Sequence, residues 1–299
     1  MTTPLHLAIG AFDGVHLGHR AVLRSARAAA RADGGLVGVL TYEPHPSKVL
    51  RPETPVPLIF TRAQKDERLT EAGAQLIHHE KFDRAHAAIE AADFPAWLQR
   101  TFPHLRSLHV GANFQYGRGR TGRGETLVAH GAALGLEVRL VAAVQLGAET
   151  VSSSRIRQAL GEGDLGLANA MLHRPYEAEG VILGGRRLGR TLGFPTVNVP
   201  WEPELRPAFG VYAVEVVFRG EALPAVANYG LRPTVESGPV APLLEAHVLR
   251  GTAPTTGDGV RVRWLRHLRT EQKFADLAAL QAQIARDAAA ARQVHGLLD

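Results

Sequence analysis

The chain has no cysteine. That excludes a disulfide framework, a thiolate metal site and a cysteine nucleophile. It also has no apolar run of membrane-spanning length. The N-terminal stretch, residues 1–10, carries no basic segment followed by a long apolar one, so it reads as a first strand rather than a signal peptide. A cytoplasmic protein is the expectation. Lysine is scarce: among 34 basic residues, only Lys48, Lys65, Lys81 and Lys273 are not arginine. The motif G-x-x-x-x-G-K-[ST] is missing, so there is no standard P-loop.

What is present suits a soluble globular protein. At 299 residues the chain is long for one core and sufficient for two. An apolar fraction of 45% argues against disorder. The formal net charge is +5. Arginine suits phosphate because its planar fork donates two parallel hydrogen bonds. A general bias toward Ala, Arg and Gly is the simpler source of that arginine. Charge alone leaves nucleotides and nucleic acid both open as ligands.

The first half alternates short apolar runs (5–10, 36–42, 75–79, 105–111 and 137–144) with Ala-rich stretches such as 21–32 and 125–134. Strand–helix alternation with long crossovers predicts a parallel sheet covered by helices, with ligands outside the carboxyl ends of the strands. Residues 152–172 read as one or two helices, and Arg174-Pro175-Tyr176 interrupts them. Beyond lie alternating segments at 180–183, 210–218, 243–250 and 260–268, separated by turn residues. These predict a small antiparallel β-barrel. A helix over 271–295 closes the chain, with Phe274, Leu277, Leu280 and Ile284 at core spacing. The expected architecture is therefore an α/β domain over 1–174 and a barrel domain with a closing helix over 175–299.

The densest chemistry is Gly10-Ala11-Phe12-Asp13-Gly14-Val15-His16-Leu17-Gly18-His19. A strand ends at Gly10, glycines turn the chain, and a helix starts near Gly18. Backbone N–H groups at such a helix start favour an anion, and Gly18 would let a phosphate approach closely. His16 and His19 are three apart and face the same way on one turn. Two imidazoles beside a phosphate donate hydrogen bonds to charge developing in phosphoryl transfer. A bare histidine pair would be as well explained by a cap or a weak metal site. Strand, glycine turn and helix start together favour the phosphate.

Three further segments are less specific alone. Val151-Ser152-Ser153-Ser154-Arg155-Ile156-Arg157 puts capping serines before two arginines that suit a polyphosphate, though by itself it reads as a plain cap. Gly117, Gly119 and Gly122 form a G-x-G-x-x-G after a strand, but no acidic residue stands about 20 positions on, and arginines interrupt the glycines. A mobile basic loop is expected there instead. His45, in Tyr42-Glu43-Pro44-His45-Pro46, either lines a site or forms a rigid turn.

In the second half, Gly180 to Arg190 reads as a strand and then a glycine- and arginine-rich loop, followed by Thr191-Leu192-Gly193-Phe194-Pro195-Thr196-Val197-Asn198. Backbone N–H groups of a glycine loop, Gly184 included, can hold phosphates. Thr196 and Asn198 are two apart, so on a strand they share a face and offer neutral oxygens that suit Mg²⁺. Without further context a turn and an ordinary strand bond explain the segment. The basic strand 261–269 leaves a nucleic-acid-binding barrel open, although it lacks interleaved exposed aromatics beyond Trp264.

The N-terminal half resembles the adenylyltransferase module of bacterial bifunctional riboflavin kinase/FAD synthetases, which has a nucleotidyltransferase-like Rossmann fold. That module carries G-x-FDGVH-x-GH, T-F-x-PHP, G-x-(D/N)-F-x-(F/Y)-G and SS(T/S)-x-IR, and all four stand here in order, with Tyr42 for the usual Phe. The C-terminal half resembles the riboflavin kinase module. Its marks G-R-x-LGFPTAN, GVY, N-x-G-x-x-PT and a following acidic residue appear at 189–198, 210–212, 228–234 and Glu245. Val197 replaces the usual Ala, and the loop 250–259 is rewritten, with Gly259 retained.

The resemblance implies two reactions: riboflavin and ATP give FMN and ADP, then FMN and ATP give FAD and pyrophosphate. It implies that Gly10, Phe12, His16 and His19 meet the nucleotide of the second reaction, with His16 and His19 on the ATP phosphates. Asn113 would place nucleotide and flavin, and Ser153, Ser154 and Arg157 would bind nucleotide. In the kinase module it implies Gly184, Arg190 and Thr196 for ATP, Thr196 and Asn198 for Mg²⁺, Asn228 for flavin, and Glu245 as the base on the riboflavin 5′-hydroxyl. Partners would be small molecules, with no nucleic acid and no membrane; self-association stays open. The alternative is an N-terminal nucleotidyltransferase with another acceptor beside a non-catalytic flavin- or nucleic-acid-binding barrel.

Overall fold

Leu5, Leu7 and Ile9 point to one side of a sheet and Ala8 to the other, and both sides are buried. A strand covered on both faces reads as a continuous apolar run, and a central parallel strand is such a strand. The computed structural model describes residues 3–184, 193–231 and 242–297. In it the chain divides into two compact units, Met1–Ser153 and Ser154–Asp299.

The first unit runs β1 (Leu5–Ile9), α1 (Leu17–Asp33), β2 (Leu36–Glu43), α2 (Pro46–Leu50), α3 (Arg62–Glu71), β3 (Leu76–Lys81), α4 (Arg84–Ala87), α5 (Phe94–Thr101) and β4 (Leu105–Gly111). A short hairpin of β5 (Gln115–Tyr116) and β6 (Gly122–Arg123) follows, then α6 (Gly124–Ala133), β7 (Glu137–Val141) and a second hairpin of β8 (Gln145–Leu146) and β9 (Glu149–Thr150). Its five-stranded parallel sheet has the order β3-β2-β1-β4-β7. The winding reverses between β1 and β4, so the ligand crevice of such a sheet lies beyond their carboxyl ends. α1 covers one face with Val22, Leu23, Ala26, Ala29 and Ala30 at helical spacing, and Gly34 ends it in the left-handed region. α5 covers the other with Phe94 and Leu98.

The second unit opens with α7 (Ser153–Glu162) and α8 (Leu165–Leu172). β10 (Tyr176–Val181), β11 (Val197–Pro200), β12 (Gly210–Phe218), β13 (Glu221–Leu231), β14 (Pro242–Val248) and β15 (Gly259–Arg269) follow, and α9 (Leu277–Val294) ends it. Asn169 on α8 donates to the Trp264 carbonyl (2.8 Å) and accepts from Tyr176 N–H (2.8 Å), while Ala208 N–H donates to Leu160 O (3.0 Å). These bonds tie both helices to the strands, so the break in packing lies ahead of Arg174-Pro175-Tyr176. The antiparallel sheet has the order β10-β15-β12-β13-β14-β11. It curls into a barrel because its outer strands meet: Leu183 bridges Asn198, and a Cβ on Gly180 would stand 2.7 Å from Val199. Tyr176, Trp201, Tyr212, Tyr229 and Trp264 fill the interior, with ring centroids 4.6–6.4 Å apart.

Three expectations are corrected. Trp264 is fully buried in that core, so it offers no exposed stacking face. Three of the four arginines of β15 are engaged by carboxylates: Arg261 with Glu179 (2.6 Å), Arg263 with Glu177 (3.1 Å), and Arg269 with Asp287 (2.8 Å). The basic strand is therefore largely neutralised internally, with Arg266 exposed, which leaves little for a nucleic-acid backbone. The closing helix begins at Leu277, later than expected, with Asp276 as its cap; it buries Asp287, Ala288 and Ala291, while Leu277 is 58% exposed. Small alanines let the helix lie close on Val211, Ala213 and Val226, and Phe274 precedes it.

The glycine-rich segment after β4 is likewise built rather than loose. Tyr116 is buried, and Arg118 pairs with Glu90 at 2.7 Å. A Cβ on Gly117 would meet Ala91 backbone at 2.7 Å, and one on Gly122 would meet the Tyr116 ring at 2.5 Å. These glycines serve close packing, and the segment is a pinned hairpin.

Candidate active sites

The turn after β1 departs from ordinary backbone. Phe12 (φ +51°) and Val15 (φ +39°) occupy the left-handed region beside Gly14. Such conformations cost about 1–3 kcal/mol each and persist where surroundings fix them. Here Phe12, Asp13 and Val15 are buried. Thr41 Oγ1 donates to Ala11 O (3.1 Å), Ile59 N–H to Asp13 Oδ1 (3.0 Å), and Ser153 Oγ to Asp13 O (2.8 Å). Gly10 N–H donates to Leu40 O at 3.1 Å.

The turn delivers two stacked imidazoles. His16 caps α1, its Nδ1 accepting weakly from His19 N–H at 3.4 Å. The His16 and His19 rings lie 3.7 Å apart at 18°, and Phe12 meets His19 edge-on at 5.2 Å. A Cβ on Gly18 would stand 3.1 Å from the His16 ring, so that glycine makes room for the imidazole; the expectation that it admits a phosphate is revised. His19 is held well below the ordinary histidine range by burial, then by the charges of His16 and Lys65. Its ring is neutral at pH 7, and the buried Nδ1 has no hydrogen-bond partner among the described residues. A buried nitrogen of that kind calls for a ligand or a water. α1 has no acidic residue in its first turn, so its N-terminus keeps its attraction for anions.

The remaining N-terminal candidates divide between the two units. Asn113 is exposed just past β4, the neighbour of β1. Ser153 bonds the turn directly. Ser154 and Arg157 follow on α7 in the second unit, Ser154 exposed and Arg157 half-buried. His45 caps α2, with Nδ1 accepting from Ser47 N–H at 3.2 Å; of its two readings, the turn is the one seen. Lys65 was not legible in the sequence as a site residue. Its Nζ donates to Thr41 Oγ1 at 3.2 Å, next to the turn.

In the barrel, three candidates form one row. Glu245 on β14 stands opposite Asn198 on β11 and opposite Asn228 on β13. Residues directly opposite share a sheet face. Asn198 is buried, and Asn228 and Glu245 are half-buried. Asn228 and Glu245 line a cleft of about 540 Å³ with Gly230, Leu231, Leu243 and the segment Glu271-Gln272-Lys273. That segment carries no motif, and only the fold brings it there. Thr196 is exposed directly before β11, and His247 Nδ1 donates to Pro195 O at 2.8 Å beside it. Gly184 is exposed after the Leu183 bridge, with open space at its Cβ position. Arg190, and the Pro233-Thr234 end of the motif that begins at Asn228, lie outside the described residues. The rewritten loop 250–259 is a tight turn: Asp258 accepts from Thr255 N–H (2.8 Å), and Ile182 N–H donates to Asp258 O (2.9 Å).

Residues 2–155 match the family model described as FAD synthetase, and residues 172–295 the one described as riboflavin kinase. The chain is 39% identical over 293 residues to the bifunctional riboflavin kinase/FMN adenylyltransferase of Escherichia coli K12, covering 97% of this chain and 93% of that one. The chain belongs to the bifunctional riboflavin kinase/FMN adenylyltransferase family. The family's Bacillus subtilis member is 33% identical, covering 94% of this chain and 89% of its own. A crystal structure from Streptococcus pneumoniae, described as a macrolide-efflux protein, superposes with a TM-score of 0.88 at 27% identity, covering 98% of this chain and 95% of that one. Among the described residues, no helix is long and apolar enough to cross a membrane. One family module thus spans the parallel sheet and the other the antiparallel sheet.

Proposed function

We propose that the chain phosphorylates riboflavin to FMN and adenylylates FMN to FAD, using ATP for both. The observation that carries this reading is the presence of both modules in one chain, matched over residues 2–155 and 172–295. The adenylyltransferase domain is assigned to residues 1–174 and the kinase domain to 175–299. The work is cytoplasmic, and the partners are ATP, riboflavin and FMN.

In the kinase domain the riboflavin 5′-oxygen attacks the γ-phosphorus of ATP as its proton passes to Glu245, and ADP leaves. General-base help of this kind contributes roughly 10²–10⁴ in rate. Asn228 binds flavin in the shared cleft, while Gly184, Arg190 and Thr196 hold ATP. Thr196 and Asn198 would also hold Mg²⁺. The donor set suits the ion: Thr196 and Asn198 stand two apart at the start of β11 and offer neutral oxygens, which Mg²⁺ takes together with phosphates and waters. The ion, when bound, would neutralise charge on the phosphates.

In the adenylyltransferase domain a phosphate oxygen of FMN attacks the α-phosphorus of a second ATP, and pyrophosphate leaves. Gly10 and Phe12 shape the turn, His16 and His19 donate to phosphate oxygens, and Asn113 orients both substrates. Ser153, Ser154 and Arg157 complete the nucleotide contacts. No covalent intermediate is required, because positioning and charge stabilisation supply the catalysis. Incubating the pure protein with riboflavin, ATP and Mg²⁺ and separating the flavins tests this. FMN followed by FAD is expected; FMN alone would leave only the kinase.

A further inference from the structure

A neutral His19 can hydrogen-bond a phosphate but cannot neutralise it. Two substrates that both carry phosphate need a fixed cation nearby. Lys65 is on α3, half-buried, and its Nζ–Thr41 Oγ1–Ala11 O chain of 3.2 and 3.1 Å reaches the turn that carries the histidines. An ammonium has three donors, and Thr41 takes one of them. We propose that Lys65 is a positioning residue for adenylyl transfer: through Thr41 it holds the 10–16 turn, and it sets a fixed positive charge beside the His16–His19 pair. This rests on the reading of the N-terminal domain given above.

The charges around the pair are consistent with that role. His19 feels His16 from its own turn and Lys65 from α3, and both oppose its protonation. Lys65 is itself lowered by burial and, more weakly, by Arg62. Glu43 of β2, Asp66 of α3 and Asp13 of the turn act in the opposite sense and favour its charge. Asp66 is also bound by His79 at 2.9 Å and by Arg62 at 3.8 Å, so it is not committed to Lys65 alone. The cation is thus held among partial partners rather than buried in one ion pair, which leaves its field available to an incoming phosphate.

Lys65→Met, Lys65→Arg and Thr41→Val test the proposal in the full chain. FAD formation from FMN and ATP is followed against pH, and riboflavin phosphorylation is measured in the same samples. In Lys65→Met, kcat/KM for FAD formation should fall roughly tenfold or more, the scale of one lost charge-assisted bond. The acid limb of its pH profile should move to higher pH, because one of the charges opposing His19 protonation is gone. Lys65→Arg should recover the profile, and phosphorylation should be unchanged in all three. Thr41→Val keeps the shape and the charge, so it should lower the rate without moving the profile, and it still reports if Lys65→Met does not fold. An unmoved profile and an undiminished rate in Lys65→Met would overturn the role of Lys65. Wild-type protein that makes no FAD from FMN would instead overturn the reading of the domain.

Discussion

His19 stacks on His16 and meets Phe12 edge-on, and burial keeps it uncharged. Replacing it with alanine should stop FAD formation while FMN still accumulates, as read by chromatography of the flavins. Loss of both activities in a folded His19→Ala protein would contradict separate sites. Glu245→Gln should do the converse, making FAD from supplied FMN but no FMN from riboflavin. Because His19 protonates only well below the ordinary histidine range, FAD formation should hold steady as pH falls through about 6.5 and decline only well below it. A rate that instead falls through the ordinary histidine range on acidification would show that His19 is not the group being titrated.

At the level of elements, Arg269 on β15 grips Asp287 on α9 with three contacts of 2.8–3.1 Å, and Gln283 adds a fourth bond to the same carboxylate. Asp287→Ala should cost about 2 kcal/mol in urea unfolding, between the exposed and fully buried limits for ion pairs. A change under a few tenths would mean that the alanine face alone docks the helix. This contact marks what the sequence could not convey. The parallel strands were legible because continuous apolar runs alternate with Ala-rich helices. The His16–His19 turn was legible because glycines, strand end and helix start coincide. β13 was obscured by Pro224, tolerated because pairing with β14 begins only at Ala225, and by a hairpin at Arg219-Gly220 without the usual Asn-Gly signal. The buried face of α9 was misread because large apolar residues outrank alanine in a periodicity count. Lys65 and the Glu271-Gln272-Lys273 segment reach their sites through tertiary folding, and no local pattern announces that.

For the whole molecule, acid lability follows from the histidines. His19, His79, His86, His109 and His267 all lie below the ordinary value near 6.5, each first because of burial, with His109 at about 4. The unfolded chain therefore binds more protons than the native one once pH drops below about 6.5. Stability should be complete above that pH and fall as pH declines toward 4, seen as a progressive drop in Tm. His109→Gln should flatten part of that drop, since His109 sits in a buried chain between Ser107 and Ser25, 2.8 Å from each. The central claim is that one chain carries both steps from riboflavin to FAD. The most direct measurement is a time course of flavins from pure protein with riboflavin, ATP and Mg²⁺. FMN should rise first and FAD follow at its expense, whereas riboflavin that persists with neither product would contradict the account.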